Sequence, residues 1–229
     1  MSTADIKKPD LHVLYEDNHL LVVEKPYGVP SQEDSSGDLD MLRMGKAYIK
    51  VKYDKPGDVF LGLVHRLDRP TRGVMVFART SKAAARLSKQ IQDGRFEKTY
   101  LAVLTAMPPQ QKGTLTNHLM KDNAARMAKV VDEQNPDSKE AKLSYQVIDL
   151  QGAFCLVRVK LLTGRYHQIR AQFAHIGCGV YGDMKYGRRD VKEPLALFAQ
   201  QVCLYHPTRG EHMCFELAPK HHPFEIFEV

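Results

Sequence analysis

The chain has 229 residues, of which 43% are hydrophobic and 26% charged, enough to bury a substantial core within one compact domain. No apolar run approaches the roughly 20 residues of a membrane helix, and the opening MSTADIKKPD lacks the apolar segment of a signal peptide. We therefore expect a soluble, cytoplasmic protein without a membrane partner, whose formal net charge of +6 favours polyanionic partners.

The first third of the chain predicts a hairpin, a helix set between loops, and a strand followed by a second helix. Residues 11–28 give a short strand, a turn at 16–18 and a second strand of β-branched and leucine residues that stops at Pro26 and Gly28. A short helix is expected within 31–57. GVMVFART at 73–80 is typical of a strand, and residues 81–94 place apolar residues at helical spacing before Gly94.

The rest of the chain is rich in predicted strands. KTYLAVLTA at 98–106 is a strand, and 142–162 forms the clearest hairpin, with its turn at Gln151 and Gly152. TGRYHQIRAQFAHIG at 163–177 predicts a turn and a helix ended by Gly177. Residues 195–219 predict two strands joined at HPTRG. The polar segment 110–141 is expected to be a mobile insertion or an irregular hairpin.

Hairpins outnumber strand-helix-strand units in this reading. The predicted fold class is therefore α+β, with a mixed, mainly antiparallel central sheet flanked by helices and loops. We expect one domain over residues 1–229, because no linker, repeat or low-complexity tract divides the sequence.

The cysteines and histidines predict no metal site. The four cysteines form neither a C-x-x-C pair nor a secreted disulfide framework, so reduced buried thiols are expected; they are Cys155, Cys178, Cys203 and Cys214. His167 and His175 lie eight residues apart with no carboxylate to complete a ligand set.

The stretch HRLDRPTRG, residues 65–73, places Asp68 in a predicted loop between two strand-like runs. One interpretation is an exposed aspartate that makes local hydrogen bonds beside Arg66 and Arg69. The other is an ionised carboxylate kept reactive as a nucleophile or base by the neighbouring guanidinium groups. The nine residues alone leave both open.

The combination of motifs resembles the RluA-type pseudouridine synthases. VHRLDRPTRGVMVFA resembles the signature H-R-L-D-x-x-T-S-G of that family, and EKTYLAVL resembles its K-x-Y-x-A segment. LLTGRYHQIRAQFAHIG resembles T-G-R-x-H-Q-I-R, and VYGDMKYG resembles I-x-G-D-x-x-Y-G. The motifs follow the family order, and the likeness begins near Leu14. It implies a pseudouridine synthase catalytic domain without the S4-like RNA-binding domain of many relatives.

The resemblance assigns roles to individual residues. Asp68 becomes the catalytic aspartate, which either attacks the anomeric carbon or assists glycal formation, with neither metal nor organic cofactor. Arg66 and Arg170 become supports of the aspartate and a phosphate, and Tyr100 stacks on the uracil. Each is also typical of ordinary packing or solvated surface. The remaining expected RNA contacts are Arg72, Lys98, Arg165 and His167.

The implied activity is isomerisation of specific uridines in structured RNA, a stem-loop of rRNA or tRNA, by a monomeric enzyme. Three positions depart from the family pattern: Arg72 replaces serine, Gln172 replaces histidine and Phe198 replaces the histidine of L-H-A. One alternative is a non-catalytic RNA-binding protein on the same fold. Another, a nucleoside or glycoside hydrolase, requires a second catalytic carboxylate, which HRLDRPTRG does not supply.

Overall fold

The computed structural model describes residues 10–187 and 192–227. The chain forms two compact units: Met1–Phe96 with Gln201–Leu217, and Glu97–Gln200 with Ala218–Val229. Most of the opening segment in which no signal peptide is expected lies outside the described residues. Within the described part of the chain, no helix is long and apolar enough to cross a membrane.

The described strands lie in both units, and one of them is divided between the units. In chain order they are β1 (Val13–Glu16), β2 (Leu20–Lys25), β3 (Gly62–Leu63), β4 (Arg72–Ala78), β5 (Glu97–Leu104), β6 (Lys112–Asp122), β7 (Met127–Val131), β8 (Lys139–Gln151), β9 (Phe154–Leu161), β10 (Leu197–Tyr205) and β11 (His212–Glu216). The helices are α1 (Met41–Lys52), α2 (Ser81–Gln92) and α3 (Gln168–His175), followed by a 3-10 turn at Phe224–Ile226.

In the first unit, β2 pairs antiparallel with both β1 and β4, and β3 pairs with β4. The last five residues of β10 belong to this unit and pair with β11. Alternate residues of β2 and β4 point to opposite faces, so Leu20 and Val76 pack with Leu87 of α2 on one face. On the other face lies α1, where a Cβ on Gly45 would be 3.5 Å from Leu21 Cδ2 of β2 and 2.6 Å from Leu61 Cδ2.

In the second unit, antiparallel strands follow the order β5-β9-β8-β6-β7. Helix α3 covers this sheet through Ala171, which packs in a buried cluster with Leu119, Ala128 and Ala141. The segment 110–141 is therefore the strands β6 and β7 and the start of β8. Its polar composition reflects a half-exposed sheet, because exposed and partly buried residues alternate along β6.

The predicted hairpins and helices are present. The hairpin of β8 and β9 turns at Gly152, which has a φ of +60° that suits glycine. Helix α2 begins after the N-cap Thr80, whose side chain accepts a hydrogen bond from Ala83 N. The predicted α+β class with a mixed, mainly antiparallel sheet is confirmed.

The prediction of four reduced cysteines is wrong for one pair. Cys203 and Cys214 form a disulfide, whereas Cys155 and Cys178 are free and buried. The reason is the register of β10 and β11, which places Cys203 directly opposite Cys214 with 4.1 Å between their Cα atoms. Directly opposed positions of a hairpin bring side chains within bonding reach irrespective of their spacing in sequence.

Candidate active site

Asp68 lies in a tight turn between β3 and β4 of the first unit. Its carbonyl oxygen accepts a hydrogen bond from Thr71 N at 2.9 Å, which closes the turn around Arg69 and Pro70. The residue is half-buried. The short loop expected from the sequence is thus present, and it holds Asp68 four residues before the start of the buried strand β4.

A buried ammonium group holds this turn. Lys25, at the end of β2, is fully buried, and its Nζ donates to the carbonyl oxygens of Pro26 at 3.0 Å, Arg69 at 2.9 Å and Thr71 at 2.8 Å. Because an ammonium group has three hydrogens, every donor finds an acceptor. The turn that carries Asp68 is thereby tied to the strand behind it.

The same lysine adds charge next to the turn. Burial lowers the pKa of Lys25 to about 7. The carboxylate of Asp68 opposes this shift, and the guanidinium groups of Arg69 and Arg72 reinforce it. Lys25 and Asp68 therefore interact electrostatically within the first unit, so the protonation of one influences the other.

Two further contacts secure the residues on either side of Asp68. The buried hydroxyl of Ser31 donates to Leu67 O at 2.6 Å and accepts from Leu67 N at 3.0 Å. On the other side, Gly28 N donates to Arg69 O at 3.0 Å, and Arg69 Nε donates to Gly28 O at 2.8 Å. These bonds fix the backbone position of Asp68 from both directions.

The three arginines near Asp68 have different environments. Arg69 forms salt bridges with Asp38 and, at 3.7 Å, with Asp34, so its guanidinium group organises the neighbouring loop. Arg66 is exposed and forms no salt bridge with Asp68 among the described residues. It stays available for contacts outside the protein.

Arg72 lies against an exposed aromatic ring. Its guanidinium carbon is 5.4 Å from the centroid of Tyr27, which is 44% exposed. Arg72 Nε is buried and has no hydrogen-bond partner within the described residues. The family serine is thus replaced by a guanidinium group that stacks on Tyr27. The Nε–H of this group remains a hydrogen-bond donor without an acceptor among the described residues.

In the second unit, Tyr100 and Lys98 lie on β5. Tyr100 is buried opposite Val159, and Lys98 stands opposite Leu161. Because they are two residues apart, both point to the same face of the strand. Burial lowers the pKa of Lys98. The Nζ atom of Lys98 lies close to Gly164, since a Cβ added to that glycine would be 3.1 Å from it.

Arg170 forms a buried two-point salt bridge on α3. Its Nε contacts Asp183 Oδ2 at 2.7 Å, and a second guanidinium nitrogen contacts Oδ1 at 2.8 Å. The side chains are 5% and 0% exposed. Asp183 Oδ1 also accepts from the backbone N–H groups of Lys185 and Tyr186. This arrangement fixes the plane of the guanidinium group.

His167 is a buried aromatic contact. It has a left-handed backbone conformation at the N-cap of α3, stacks on Tyr166 at 3.9 Å and has its Nδ1 3.0 Å from the hydroxyl of Tyr186. Burial, followed by the nearby charges of Arg170, Lys185 and Lys121, lowers its pKa to about 2. A neutral imidazole offers no charge to a phosphate.

The other expected contact of this loop faces outward. Arg165 is exposed, and its Nε donates to Glu140 O at 2.7 Å, which holds the base of the guanidinium group at the surface. Its backbone N–H donates to Gln168 Oε1 at 3.0 Å. Arg165 is therefore oriented by the start of α3 while its charge stays accessible.

The other two departures from the family pattern serve packing inside the second unit. Gln172 is fully buried, and its Nε2 lies 2.8 Å from Asn117 Oδ1 and 3.1 Å from Ala141 O, which ties α3 to the sheet. Phe198 is buried against Phe224 and His221. Within the described residues, Arg72 is the departure that lies beside the Asp68 turn.

Sequence reasoning assigned no role to Lys25, Ser31 or Asp183. Lys25 lies in EKPYG and Asp183 in YGDMKYG. In each case the signal that could have been used was a charged residue next to an apolar run and a turn. Ser31 carried no signal, because its partner is the backbone of a residue 36 positions away.

The sequence also matches a known family model. The model described as RNA pseudouridylate synthase matches residues 19–175. The chain belongs to the RNA pseudouridine synthase family. This confirms the family expected from the motifs, whose members are isomerases that act on RNA.

Individual relatives support the assignment. The chain is 34% identical over 230 residues to an uncharacterized RNA pseudouridine synthase of Aquifex aeolicus, covering 93% of this chain and 71% of that protein. It is 34% identical to the dual-specificity RNA pseudouridine synthase RluA of Yersinia pestis, covering 89% and 97%. It is 30% identical to the ribosomal large subunit pseudouridine synthase C of Buchnera aphidicola, covering 92% and 68%.

Solved structures show the same fold. Human RNA pseudouridylate synthase domain containing 1 superposes with a TM-score of 0.75 at 24% identity, covering 95% of this chain and 86% of that one. Human RNA pseudouridylate synthase domain containing 4 has the same TM-score at 23% identity, covering 90% and 87%. At these identities the likeness shows the fold alone.

Proposed function

We propose that this pseudouridine synthase isomerises specific uridines in structured RNA, with Asp68 as its catalytic carboxylate. The observation that carries the proposal is the Asp68 turn, which Lys25, Ser31 and Gly28 hold through backbone hydrogen bonds. A carboxylate that must reach one sugar carbon benefits from such a fixed backbone, because misplacement lowers the rate of the chemical step.

The reaction itself requires little beyond a carboxylate and proton transfers. The N-glycosidic bond breaks, the uracil turns, and a carbon-carbon bond forms, so atoms and oxidation state balance within the nucleotide. Asp68 either attacks the anomeric carbon and later leaves, or removes a ribose proton to give a glycal. Both routes use the same oxygen atoms and leave carbon 5 to lose its proton.

The other site residues receive supporting roles in this proposal. The motifs assign Tyr100 to stacking on the uracil and Arg170, held by Asp183, to a fixed cationic support. Arg66, Arg72 and Arg165 are proposed to contact RNA phosphates. Lys98 joins them with a charge weakened by burial, and the neutral His167 shapes the loop instead.

The substrate class follows from access to the base. A uridine in a duplex must leave its stack before a side chain reaches its sugar, which costs a few kcal/mol and is least costly in loops and bulges. We therefore propose a stem-loop of ribosomal or transfer RNA as the target. Of the relatives named above, one is a ribosomal large subunit pseudouridine synthase and another is a dual-specificity RNA pseudouridine synthase. The proposed setting is the cytoplasm, and the proposed state is a monomer.

The test compares Asp68→Asn with wild type on RNA from cells that lack this protein. A second substrate is an rRNA or tRNA transcript made with tritium at carbon 5 of uridine, which pseudouridine formation releases. Wild type should release tritium and create a mapped pseudouridine, whereas Asp68→Asn should lose the activity and retain RNA binding. Asp58→Asn, an exposed aspartate, is the matched control and should behave as wild type.

Other outcomes would select the alternatives. Equal pseudouridine formation by Asp68→Asn would refute the catalytic assignment. RNA binding by wild type without any tritium release would favour a non-catalytic RNA-binding protein. Release of free uracil would favour a hydrolase. Binding that is independent of salt would contradict phosphate contacts by the arginines.

A further inference from the structure

One face of the hairpin formed by β10 and β11 carries two cysteine sulfur atoms and an imidazole group. In the register of these strands, Cys203 is opposite Cys214 and Tyr205 is opposite His212. Because side chains alternate along a strand, these four residues share one face. The other face carries Val202 and Leu204, which belong to the apolar core of the first unit, so the hairpin is anchored from behind.

Three potential ligand atoms meet on this face. The sulfur atoms of Cys203 and Cys214 and a ring nitrogen of His212 all lie within 4.8 Å of one another. Cys203 is buried, whereas Cys214 and His212 are exposed. The arrangement was invisible in the spacing of the sequence, since the ligands come from opposite strands and not from a C-x-x-C pair.

We propose that Cys203, Cys214 and His212 form a redox-gated Zn²⁺ site on this hairpin. Two thiolates and one imidazole are ligands that Zn²⁺ prefers, and three protein ligands leave its fourth tetrahedral position to water. Hard cations such as Mg²⁺ prefer oxygen ligands and are excluded by this donor set. The site shares no residue with the Asp68 turn.

The gate is the disulfide between the same two sulfur atoms. A dithiol reductant breaks the S–S bond by thiol-disulfide exchange: it becomes a disulfide, and Cys203 and Cys214 each gain a hydrogen. Zn²⁺ then displaces both thiol protons and takes the two thiolates and the imidazole as ligands. The oxidised hairpin has no thiolate to offer, so metal binding and the disulfide exclude each other.

The position of the groups suits this exchange. Cys214 is exposed and therefore open to attack by a small thiol, and the antiparallel pairing of β10 with β11 keeps Cys203 opposite it after the covalent bond is broken. Cys155, by contrast, is buried, and burial raises its pKa to about 11, which disfavours the thiolate that a metal requires. The pair on the hairpin is thus chemically distinct.

The experiment titrates the full-length protein with Co²⁺ and then Zn²⁺, before and after reduction by a phosphine that is removed under argon. Reduced wild type should bind one Co²⁺, give a thiolate-to-cobalt charge-transfer band and lose that band as Zn²⁺ replaces it. Zn²⁺ should also slow the alkylation of Cys214. Oxidised wild type should show none of these responses.

Variants locate the ligands. Cys214→Ser and His212→Ala should each weaken Zn²⁺ binding, the former on the order of 100-fold because a charged ligand is lost. Cys155→Ala and His175→Ala are matched controls and should keep the cobalt band. The proposal is wrong if the reduced protein gives no band, or if the band survives in Cys214→Ser with an unchanged circular dichroism spectrum.

Discussion

Replacing Lys25 by methionine tests whether a buried, titrating ammonium group holds the Asp68 turn. The variant keeps the apolar stem of the side chain, one atom shorter, and removes the donor that serves the carbonyl oxygens of Pro26, Arg69 and Thr71. Thr71 O then loses a buried donor and Pro26 O a partly buried one, whereas Arg69 O keeps its bond from Gly28 N. The loss costs about 1–3 kcal/mol at the buried Thr71 O before relaxation, and less at Pro26 O. Lys25→Met should therefore be less stable than wild type at pH 7 and form pseudouridine more slowly.

The pH dependence of the free energy of unfolding gives a more specific test of Lys25. The pKa of Lys25 is about 7 in the folded protein and 10.5 in an unfolded chain. Between these values the unfolded state binds the proton and the folded state does not, so the free energy of unfolding rises with pH. Integrated from pH 7 to pH 9, this contributes about 2 kcal/mol to wild type and nothing to Lys25→Met.

Urea unfolding at several pH values between 7 and 9 measures the difference. The stability gap between wild type and Lys25→Met should widen with pH, because all other titrating groups are common to both. Lys82→Met removes an exposed lysine of α2 and should give a constant gap. Parallel curves for wild type and Lys25→Met would show that the ammonium group stays charged up to pH 9, and the reasoning from burial would fail.

Two other substitutions test the buried salt bridge and the departure from the family. Asp183→Asn removes the charge that pairs with Arg170 and should lower the free energy of unfolding by about 3 kcal/mol in urea titrations; a loss below about 1 kcal/mol would contradict a buried pair. Arg72→Ser restores the family residue and should weaken RNA binding, reducing the slope of log affinity against log salt by about 1. Arg95→Ser, an exposed control, should weaken binding less; equal effects would deny Arg72 and Tyr27 a specific contact.

Local patterns predicted most of the regular structure, because each was a short-range signal. Helix α2 followed from apolar residues at helical spacing, and the hairpin of β8 and β9 from two apolar runs around Gly152. Segment 110–141 was harder. Along β6 one face of the sheet is exposed, so its polar residues imitate a loop. The alternation was present, yet composition obscured it.

The disulfide illustrates a second kind of limit. Both strands of the β10 and β11 hairpin were predicted, but the pairing of Cys203 with Cys214 depends on the register, and a shift of one residue moves a side chain to the other face. The interval of 11 residues between the two cysteines matches neither a C-x-x-C pair nor a zinc-ligand spacing, so the spacing carried no signal for the pair. Only the register brings these sulfur atoms and His212 together.

The residues of the candidate site also differ in how far the sequence reveals them. Asp68 could be named from a nine-residue motif. The groups that hold its turn are Lys25 and Ser31, and the backbone oxygens that they bind at residues 67, 69 and 71 lie 36 to 46 residues away. A carbonyl oxygen has no residue identity, so such a bond leaves no complementary pair in the sequence. His167 shows the converse, because its motif suggests a phosphate ligand and its burial makes it neutral.

The three residues that depart from the family pattern lie in different environments. Gln172 and Phe198 are buried among side chains of the second unit, so packing accounts for these two residues. Arg72 instead stacks on the exposed ring of Tyr27 beside the Asp68 turn, with a buried donor unsatisfied within the described residues. A cation that stacks on an aromatic ring recognises a phosphate or a base better than a serine hydroxyl does. We therefore expect the replacement of Arg72 to change RNA binding more than the replacement of Gln172 or Phe198.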